Sequence, residues 1–282
     1  MTVRIVTDST SDLTPELAKE WGITIVPLTV FFGDESYLDN VDLDYIGFYK
    51  KLQEAKELPQ TSQPSPARYQ ETYKRLIDEG ATGIISAHLS SGLSGTYQAA
   101  VNAASDLPEE YRHVPIEVID SKSASVGIAL PLLKAVEEIK QGASLAEIKE
   151  NLIDRYSRTH IIAILDTLDY LKRGGRIGGA KALLANMLSV KPIIALKDGT
   201  VIPLEQPRTR SKAFTRGVQI LKDNEPLEEA AIVQASPEIG SQLEEVYKTS
   251  FTQPIQRFGL GSALGTHTGP NTVGIVYITA KK

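Results

Sequence analysis

The sequence predicts a two-domain α/β protein, with a parallel sheet in the first half and a smaller mixed sheet in the second. In residues 1–158, short apolar runs alternate with amphipathic segments, which is typical of a parallel sheet with helices on both faces. In residues 159–282 this regular alternation stops. A length of 282 residues is sufficient for two domains that each bury a core.

The elements of the first half are predicted from these runs. Strands are predicted at residues 5–6, 23–32, 83–85 and 116–119, and helices at 15–21, at 43–57 and after Pro66. The last helix places Tyr69, Tyr73, Leu76 and Ile77 on one apolar face. Residues 59–66 are rich in proline and predict a turn. Ligand-binding loops lie at the carboxyl ends of parallel strands, here at Asp8, Ser90-Ser91 and Asp120-Ser121.

The second half contains fewer regular signals. Strands are predicted at 161–165, 193–196, 232–234 and 273–278, and helices at 180–188, 212–222 and 239–247. The segment Lys197-Asp198-Gly199-Thr200 lies between two apolar runs and indicates a hairpin.

Composition excludes several classes of function. The chain has no cysteine, so disulfides, thiolate nucleophiles and cysteine metal sites are excluded. A net charge of -5 argues against a non-specific nucleic-acid binder. No apolar run approaches the roughly 18 residues of a membrane helix, and the first residues lack the apolar core of a signal peptide. We therefore expect a cytoplasmic protein without a transmembrane segment.

Residues 89–97 join a predicted strand to a predicted helix and include Ser94 and Gly95. Free N–H groups at a helix start, small residues and serine hydroxyls together stabilise a carboxylate or a phosphate. The alternative is that Ser94 only caps the helix. This loop is a candidate anion site.

Thr61 and Ser62 lie in the proline-rich segment before the next helix. Pro64 and Pro66 restrict the backbone and can present hydroxyl groups in a fixed geometry. The alternative is helix capping, a role that suits Ser65 better than Thr61.

The acidic run of residues 8–12 has two interpretations. Carboxylates at a strand end suit a hard cation or a phosphoacceptor site, but no matching set of further acids is visible. The structural interpretation makes Asp12 a helix N-cap and leaves Asp8 hydrogen-bonded within the turn. We favour the structural interpretation and predict no metal site.

His267 lies in the glycine-rich segment 265–270, and glycine allows close approach of the backbone to a ligand. A lone histidine is more often structural, but this setting favours a ligand role. His88, His113 and His160 have no such context and are predicted to be structural or surface residues.

Basic residues lie at two places in the second half. Arg173 and Arg176 follow a short predicted helix, and Arg208 and Arg210 are expected to converge with them if the domain is compact. Arginine suits carboxylate or phosphate recognition. The alternatives are a phosphate-bearing partner, or an ion pair within the chain to Asp166 or Asp169.

Catalytic motifs are mostly absent from the sequence. Ser94, His267 and either Asp8 or Asp120 could form a serine-hydrolase triad, but the chain has no Gly-x-Ser-x-Gly elbow. No phosphate-binding P-loop and no Gly-x-Gly-x-x-Gly after a strand are present, so ATP and dinucleotide binding are unsupported.

Five motifs in order resemble the DegV family, and together they span essentially the whole chain. They are Thr7-Asp8-Ser9, Thr61-Ser62-Gln63-Pro64, residues 89–96, residues 171–177 and residues 265–270. The resemblance implies two α/β domains with a fatty acid in a tunnel between them and no cofactor. It also implies a non-catalytic subunit that presents the fatty-acid carboxylate to a separate ATP-dependent kinase, which makes an acyl phosphate. Asn271 stands where the family often has glycine.

The resemblance assigns roles to the residues selected above. Thr61 and Ser94, with Ser62 and Gly95 beside them, would bind the carboxylate, and His267 would assist. Arg176, together with Arg173, Arg208 and Arg210, would face the kinase or the phosphoryl group. Leu93, Val126, Leu130 and residues 183–194 are candidate tunnel walls, for which core packing is the alternative.

Overall fold

The computed structural model describes residues 2–186 and 190–281. In chain order its strands are β1 (Val3–Asp8), β2 (Ile23–Val26), β3 (Thr29–Phe32), β4 (Glu35–Leu38), β5 (Gln60–Ser62), β6 (Gly83–His88), β7 (Ile116–Asp120), β8 (Thr159–Ile164), β9 (Ile193–Lys197), β10 (Thr200–Glu205), β11 (Leu227–Gln234), β12 (Gln256–Gly259) and β13 (Val273–Thr279). Its α-helices are α1 (Pro15–Trp21), α2 (Tyr45–Glu54), α3 (Pro66–Asp78), α4 (Thr96–Ser105), α5 (Val126–Lys140), α6 (Leu145–Ser157), α7 (Asp169–Arg173), α8 (Arg210–Asp223), α9 (Pro237–Lys248) and α10 (Ser262–Thr268).

The first half contains the predicted parallel sheet, in the strand order β2-β1-β6-β7. Successive side chains of a strand point to opposite faces. Ile5 and Ile85 therefore pack with α5 and α6 on one face, whereas Val6 and Ile84 pack with α3 and α4 on the other. The predicted apolar face of α3 is fully buried. Helices on both faces of a parallel sheet are thus confirmed.

The loops at the carboxyl ends of these strands meet, as expected. The N–H of Leu89 donates to Asp8 at 3.0 Å, and the N–H of Ser91 donates to Asp120 at 3.2 Å. Asp8 also accepts the N–H of Thr10, so its predicted role within the turn is confirmed.

Thr14, and not Asp12, caps α1. The hydroxyl of Thr14 accepts the N–H of Leu17 at 3.3 Å, and Pro15 follows at the first helical position, where its missing N–H costs no hydrogen bond. Asp12 instead ends a 3-10 turn, Ser9–Ser11, with φ of 57°. The prediction that Asp12 is a helix N-cap is therefore wrong.

A three-stranded antiparallel sheet, in the order β4-β3-β5, was not predicted. The predicted strand 23–32 breaks near Pro27, which has no N–H to donate, and the chain leaves the parallel sheet to form β3. β5 lies in the proline-rich segment that predicted a turn, and its Thr61 is opposite Val30 of β3. Thr61 is consequently held by a strand ladder.

The second half contains a six-stranded mixed sheet in the order β10-β9-β8-β13-β11-β12, which confirms the predicted mixed sheet. The hairpin is also confirmed, since Thr200 of β10 pairs with Lys197 of β9. Ile232 and Ile275 on the outer face pack with side chains of α8 and α9. The opposite, inner face looks toward the first half, where Val276 shares a core with residues of α5.

Two segments of the second half differ from prediction. Instead of the predicted helix 180–188, Gly178–Asn186 forms a 3-10 helix, and residues 187–189 lie outside the described part of the chain. The glycine-rich segment around His267, for which no element was predicted, lies largely in helix α10. Among the helices described, none is both long enough and apolar enough to cross a bilayer.

The two larger sheets fall on either side of the predicted boundary between residues 158 and 159, because α6 ends at Ser157 and β8 begins at Thr159. The largest core cluster nevertheless combines residues of both halves, including Ile128 and Val276. The division into domains 1–158 and 159–282 stays a prediction.

Candidate functional site

A cavity lies between the inner face of the six-stranded sheet and the loops of the first half. It encloses about 970 Å³ of space, a figure that includes solvent at its open mouth. Most of its wall is aliphatic. The first half contributes Leu28, Leu89, Leu93 and Ala124, and the segment before and within α10 contributes Leu260, Ala263 and Leu264.

Small residues in the sheet create the space. Across the inner face, the register places Ile194, Ala163, Gly274 and Val233 side by side on β9, β8, β13 and β11. All four line the cavity. Because Ala163 and Gly274 are neighbours with almost no side chain, the middle of the row is a trough between larger side chains.

The predicted wall residues are divided between the cavity and the core. Leu93 and Ile194 line the cavity, whereas Leu183 packs on the neighbouring core cluster. For Val126 and Leu130 the wall prediction is wrong. Both lie in α5 and are buried in the core, and Ala124 just before that helix lines the cavity instead.

The polar end of the cavity is formed by Thr61, Ser94, His267 and Arg176. Thr61, His267 and Arg176 also line a second, polar cavity, so they lie at the junction between the two. Ser62 does not join them, because adjacent residues of a strand point to opposite sides. It is exposed, and its hydroxyl donates to the carbonyl of Gln63.

Thr61 and His267 share a hydrogen bond of 2.8 Å between Oγ1 and Nε2. Burial, together with the nearby Arg176, lowers the pKa of His267 from 6.5 to about 4, so the ring is neutral near pH 7. Its buried Nδ1 has no hydrogen-bond partner among the residues that the structure describes, and it lies beside Gly174, where an added Cβ would be 2.2 Å from it. An unpaired N–H is rarer in proteins than an unpaired acceptor, so we assign the ring proton to Nε2.

Ser94 lies at the start of α4. Its Oγ accepts the N–H of Thr96 at 3.3 Å and lies 2.9 Å from the hydroxyl of Thr96. The N-cap itself is Gly95, which has no side-chain cap. An added Cβ at Gly95 would lie 2.5 Å from Oε1 of Gln63, so β5 and its continuation pack closely on this turn. Gln63 thereby links the Thr61 and Ser94 segments, a contact that was not predicted from the sequence.

The four arginines occupy different places. The Nε of Arg176 donates to the carbonyl of Leu93 at 3.1 Å, which joins the two halves, and Arg173 lines the polar cavity. Arg210 instead forms an ion pair with Asp166 at 2.8 Å. Arg208 is exposed, and neither Arg208 nor Arg210 lines either cavity. Of the four arginines, only Arg173 and Arg176 line the polar cavity, and the predicted alternative of an internal ion pair holds for Arg210.

The site lacks the contact that a serine hydrolase needs. His267 bonds to Thr61, while the hydrogen bonds recorded for Ser94 are to Thr96. A nucleophile and its base must lie within hydrogen-bond reach of each other.

A different Ser-His-Asp arrangement lies in the core. His88 is 2.7 Å from Ser86 and 3.0 Å from Asp8. All three side chains are fully buried, so a substrate cannot reach them. His88 is thus structural, as predicted. In the described ranges, no group of three or more histidine, aspartate or glutamate side chains could hold a metal ion.

Asn271 has φ of 59°, in the left-handed region that glycine and asparagine tolerate best. Its side-chain amide donates to Asp166 at 3.0 Å. The replacement of glycine by asparagine at this position is therefore compatible with the turn.

Comparison with known proteins gives a consistent result over the whole chain. The model of a family described as "Uncharacterised protein, DegV family" matches residues 2–280. A DegV domain-containing protein of Streptomyces coelicolor is 37% identical, and the alignment covers 97% of each chain. Another, from Halalkalibacterium halodurans, is 35% identical over 99% of each chain.

Solved structures agree with this assignment. A DegV family protein of Thermus thermophilus, described by its fatty acid binding, is 33% identical, with a TM-score of 0.90 over 99% of this chain and 100% of that one. A stearic-acid-binding protein of Eubacterium ventriosum is 29% identical, with a TM-score of 0.91 over 99% and 98%. The present chain belongs to the DegV family.

Proposed function

We propose that this protein binds one long-chain fatty acid, such as palmitate or oleate, and carries out no chemistry on it. The observation that carries this proposal is a cavity with aliphatic walls that ends at two hydroxyl groups and a neutral histidine. A fatty acid has the same polarity, with one polar end on a long apolar chain. The fatty-acid-binding relatives from Thermus thermophilus and Eubacterium ventriosum support the proposal.

The carboxylate is bound by Thr61 and Ser94. With its proton on Nε2, His267 donates to Oγ1 of Thr61, and the Thr61 hydroxyl is then free to donate to a carboxylate oxygen. Ser94 accepts the N–H of Thr96 and, in the 2.9 Å contact between the two side chains, also accepts the Thr96 hydroxyl, so its own hydroxyl is left to donate to the ligand. The start of α4, with Gly95 as its N-cap, adds the partial positive charge of a helix N-terminus.

The apolar wall supplies most of the affinity. Each methylene group removed from water contributes about 0.8 kcal/mol, so a chain of about 15 carbons gains on the order of 10 kcal/mol before the costs of association. A hydrogen bond to a charged group contributes about 1.5–3 kcal/mol. Thr61 and Ser94 therefore determine the direction of the chain more than its affinity.

The bound carboxylate is presented to a separate ATP-dependent kinase subunit, which forms the acyl phosphate. Two features support this proposal. The polar cavity shares Thr61 and His267 with the lipid cavity, so it leads from outside to the head group. It is also lined by Arg173 and Arg176, whose charge suits a phosphoryl group. Exposed Arg208 is available to contact such a partner, whereas Arg210 is occupied by Asp166.

Native mass spectrometry of freshly purified protein tests the binding proposal. We expect an added mass of one fatty acid per chain, and exchange for palmitate or oleate when either is supplied to stripped protein. Protein that is consistently empty and also rejects both added fatty acids would refute the proposal.

A further inference from the structure

Two buried carboxyl groups hold the first turn of α10, the helix that carries His267. Asp12 accepts the N–H of Gly261 at 2.9 Å, and Asp39 accepts the N–H of Ser262 at 3.0 Å. The hydroxyl of Ser262 donates to the same oxygen of Asp39. The two amides that open α10 are therefore each bound by a carboxyl group from a distant part of the chain.

Both aspartates are fixed in turn by the first half, Asp12 through its side chain and Asp39 through its backbone. The second oxygen of Asp12 accepts the hydroxyl of Ser125, the residue that precedes α5. The N–H of Asp39 donates to the carbonyl of Leu28, between β2 and β3. The position of α10 is thus fixed relative to the segments around Leu28 and Ala124, which line the cavity.

These carboxyl groups are unusual for a core. Asp12 is 2% exposed and Asp39 is 0% exposed, and in the part of the chain that the structure describes neither has a basic partner within ion-pair distance. Burial raises the pKa of both carboxyl groups, and repulsion from Asp39 raises that of Asp12 further. Burying acidic groups without a counter-charge is costly, so a role other than core packing is indicated.

The geometry of α10 transmits the position of its first turn to His267. The helix has seven residues, and His267 follows Ser262 by five, about 7.5 Å along the axis. Close contacts along α10 and around His267 leave this helix little room to move. An added Cβ on Gly265 would lie 2.6 Å from the hydroxyl of Tyr49, and one on Gly174 would lie 2.2 Å from Nδ1 of His267.

We infer that Asp12 and Asp39 are positioning residues for the lipid head group, which act by fixing α10 so that His267 stays in contact with Thr61. The inference rests on the proposed function, in which Thr61 binds the carboxylate. Neither aspartate touches the ligand. Both act through His267.

The test compares Asp39→Ala with the conservative variant Asp39→Asn, using stripped protein and two probes, palmitate and hexadecan-1-ol. Asp39→Ala should reduce the palmitate-to-hexadecanol affinity ratio by about tenfold, the size expected for one lost hydrogen bond to a charge. Hexadecanol affinity should change less than about twofold, because the apolar wall is intact. Asparagine keeps an oxygen for both Ser262 bonds, so Asp39→Asn should retain the ratio.

A lipid-free readout separates this inference from the proposed function. The ¹⁵N resonance of Nε2 of His267 should shift in Asp39→Ala and stay in place in Asp39→Asn. An unchanged affinity ratio together with an unchanged resonance in Asp39→Ala would overturn the inference. If the wild type binds neither probe, the proposed function fails, while the resonance still decides whether Asp39 positions His267.

A milder variant keeps the test decisive if Asp39→Ala does not fold. Ser262→Ala removes the hydroxyl bond to Asp39 and keeps the amide bond. It should give the same changes at a smaller size, about threefold in the affinity ratio, because only one of the two Ser262 bonds to Asp39 is lost. Wild-type values for both readouts would count against the inference.

Discussion

Replacing His267 with glutamine should make the lipid-free protein less sensitive to acid. The pKa of His267 is about 4 in the folded chain, lowered from 6.5 by burial and by Arg176. The unfolded chain therefore takes up the proton first as the pH falls. The stability that depends on a neutral His267 is complete above pH 6.5 and is lost progressively as the pH falls toward 4.

The size of the effect follows from these two values. At pH 4.5, protonation of the unfolded chain alone lowers the free energy of unfolding by about 2.5 kcal/mol. Part of the His267 ring remains in contact with solvent, which screens its charge, so we expect about 2 kcal/mol. Glutamine can still bond to Thr61 but has no proton to take up.

Urea unfolding at pH 7.5 and pH 4.5 measures the difference, with the fluorescence of Trp21, the single tryptophan of the chain, as the signal. Between the two pH values the wild type should lose about 2 kcal/mol more than His267→Gln. His113→Gln is the matched control, since His113 lies on an exposed turn, and it should follow the wild type. Equal losses in wild type and His267→Gln would show that the buried, neutral state of His267 is wrong.

Three further predictions concern the lipid. Ala163→Leu should fill the trough in the sheet and weaken palmitate binding at least tenfold, as measured by titration calorimetry. The control Ile162→Leu, on the outer face, should change the affinity by less than about twofold. Equal effects of the two variants would exclude the trough as the binding site of the acyl chain. Thr61→Val should weaken palmitate about tenfold and hexadecanol much less, and a uniform loss would mean that Thr61 does not bind the carboxylate. Arg176→Ala should still bind palmitate but support little acyl phosphate formation with a kinase subunit, and normal formation would remove Arg176 from that role.

The parts of the fold that depend on local pattern were predictable. The apolar face of α3 and the hairpin between β9 and β10 depend on residues that are close together in sequence, and both are confirmed. The sheet around β3 was not predictable in the same way. Its strands are short, and β5 becomes a strand only through pairing with β3, a contact between residues about 30 positions apart.

The candidate site shows the same division. Thr61, Ser94 and His267 could be selected from motifs, and the structure brings them to one cavity. The residues that hold α10 in place could not be selected from motifs. The carboxyl groups of Asp12 and Asp39 bind the start of α10 across more than 220 positions in sequence. No helix was predicted at α10, because glycines normally disfavour helices.

The cavity wall was the hardest part to predict. Val126 and Leu130 are apolar like the residues that line the cavity, and only the orientation of α5 directs their side chains into the core. The trough depends instead on small residues. Ala163 and Gly274 become neighbours through the register of β8 and β13, which a single sequence does not specify. The alternation of side chains along the predicted strands 161–165 and 273–278 was the one signal that could have pointed to them.

A crystal structure of the protein as purified, or saturated with palmitate, tests the central proposal most directly. We predict elongated density along the trough over Ala163 and Gly274, with its head within hydrogen-bond distance of the hydroxyl groups of Thr61 and Ser94. An empty cavity at saturating palmitate, or a chain bound with its methyl end at Thr61, would contradict the proposed function.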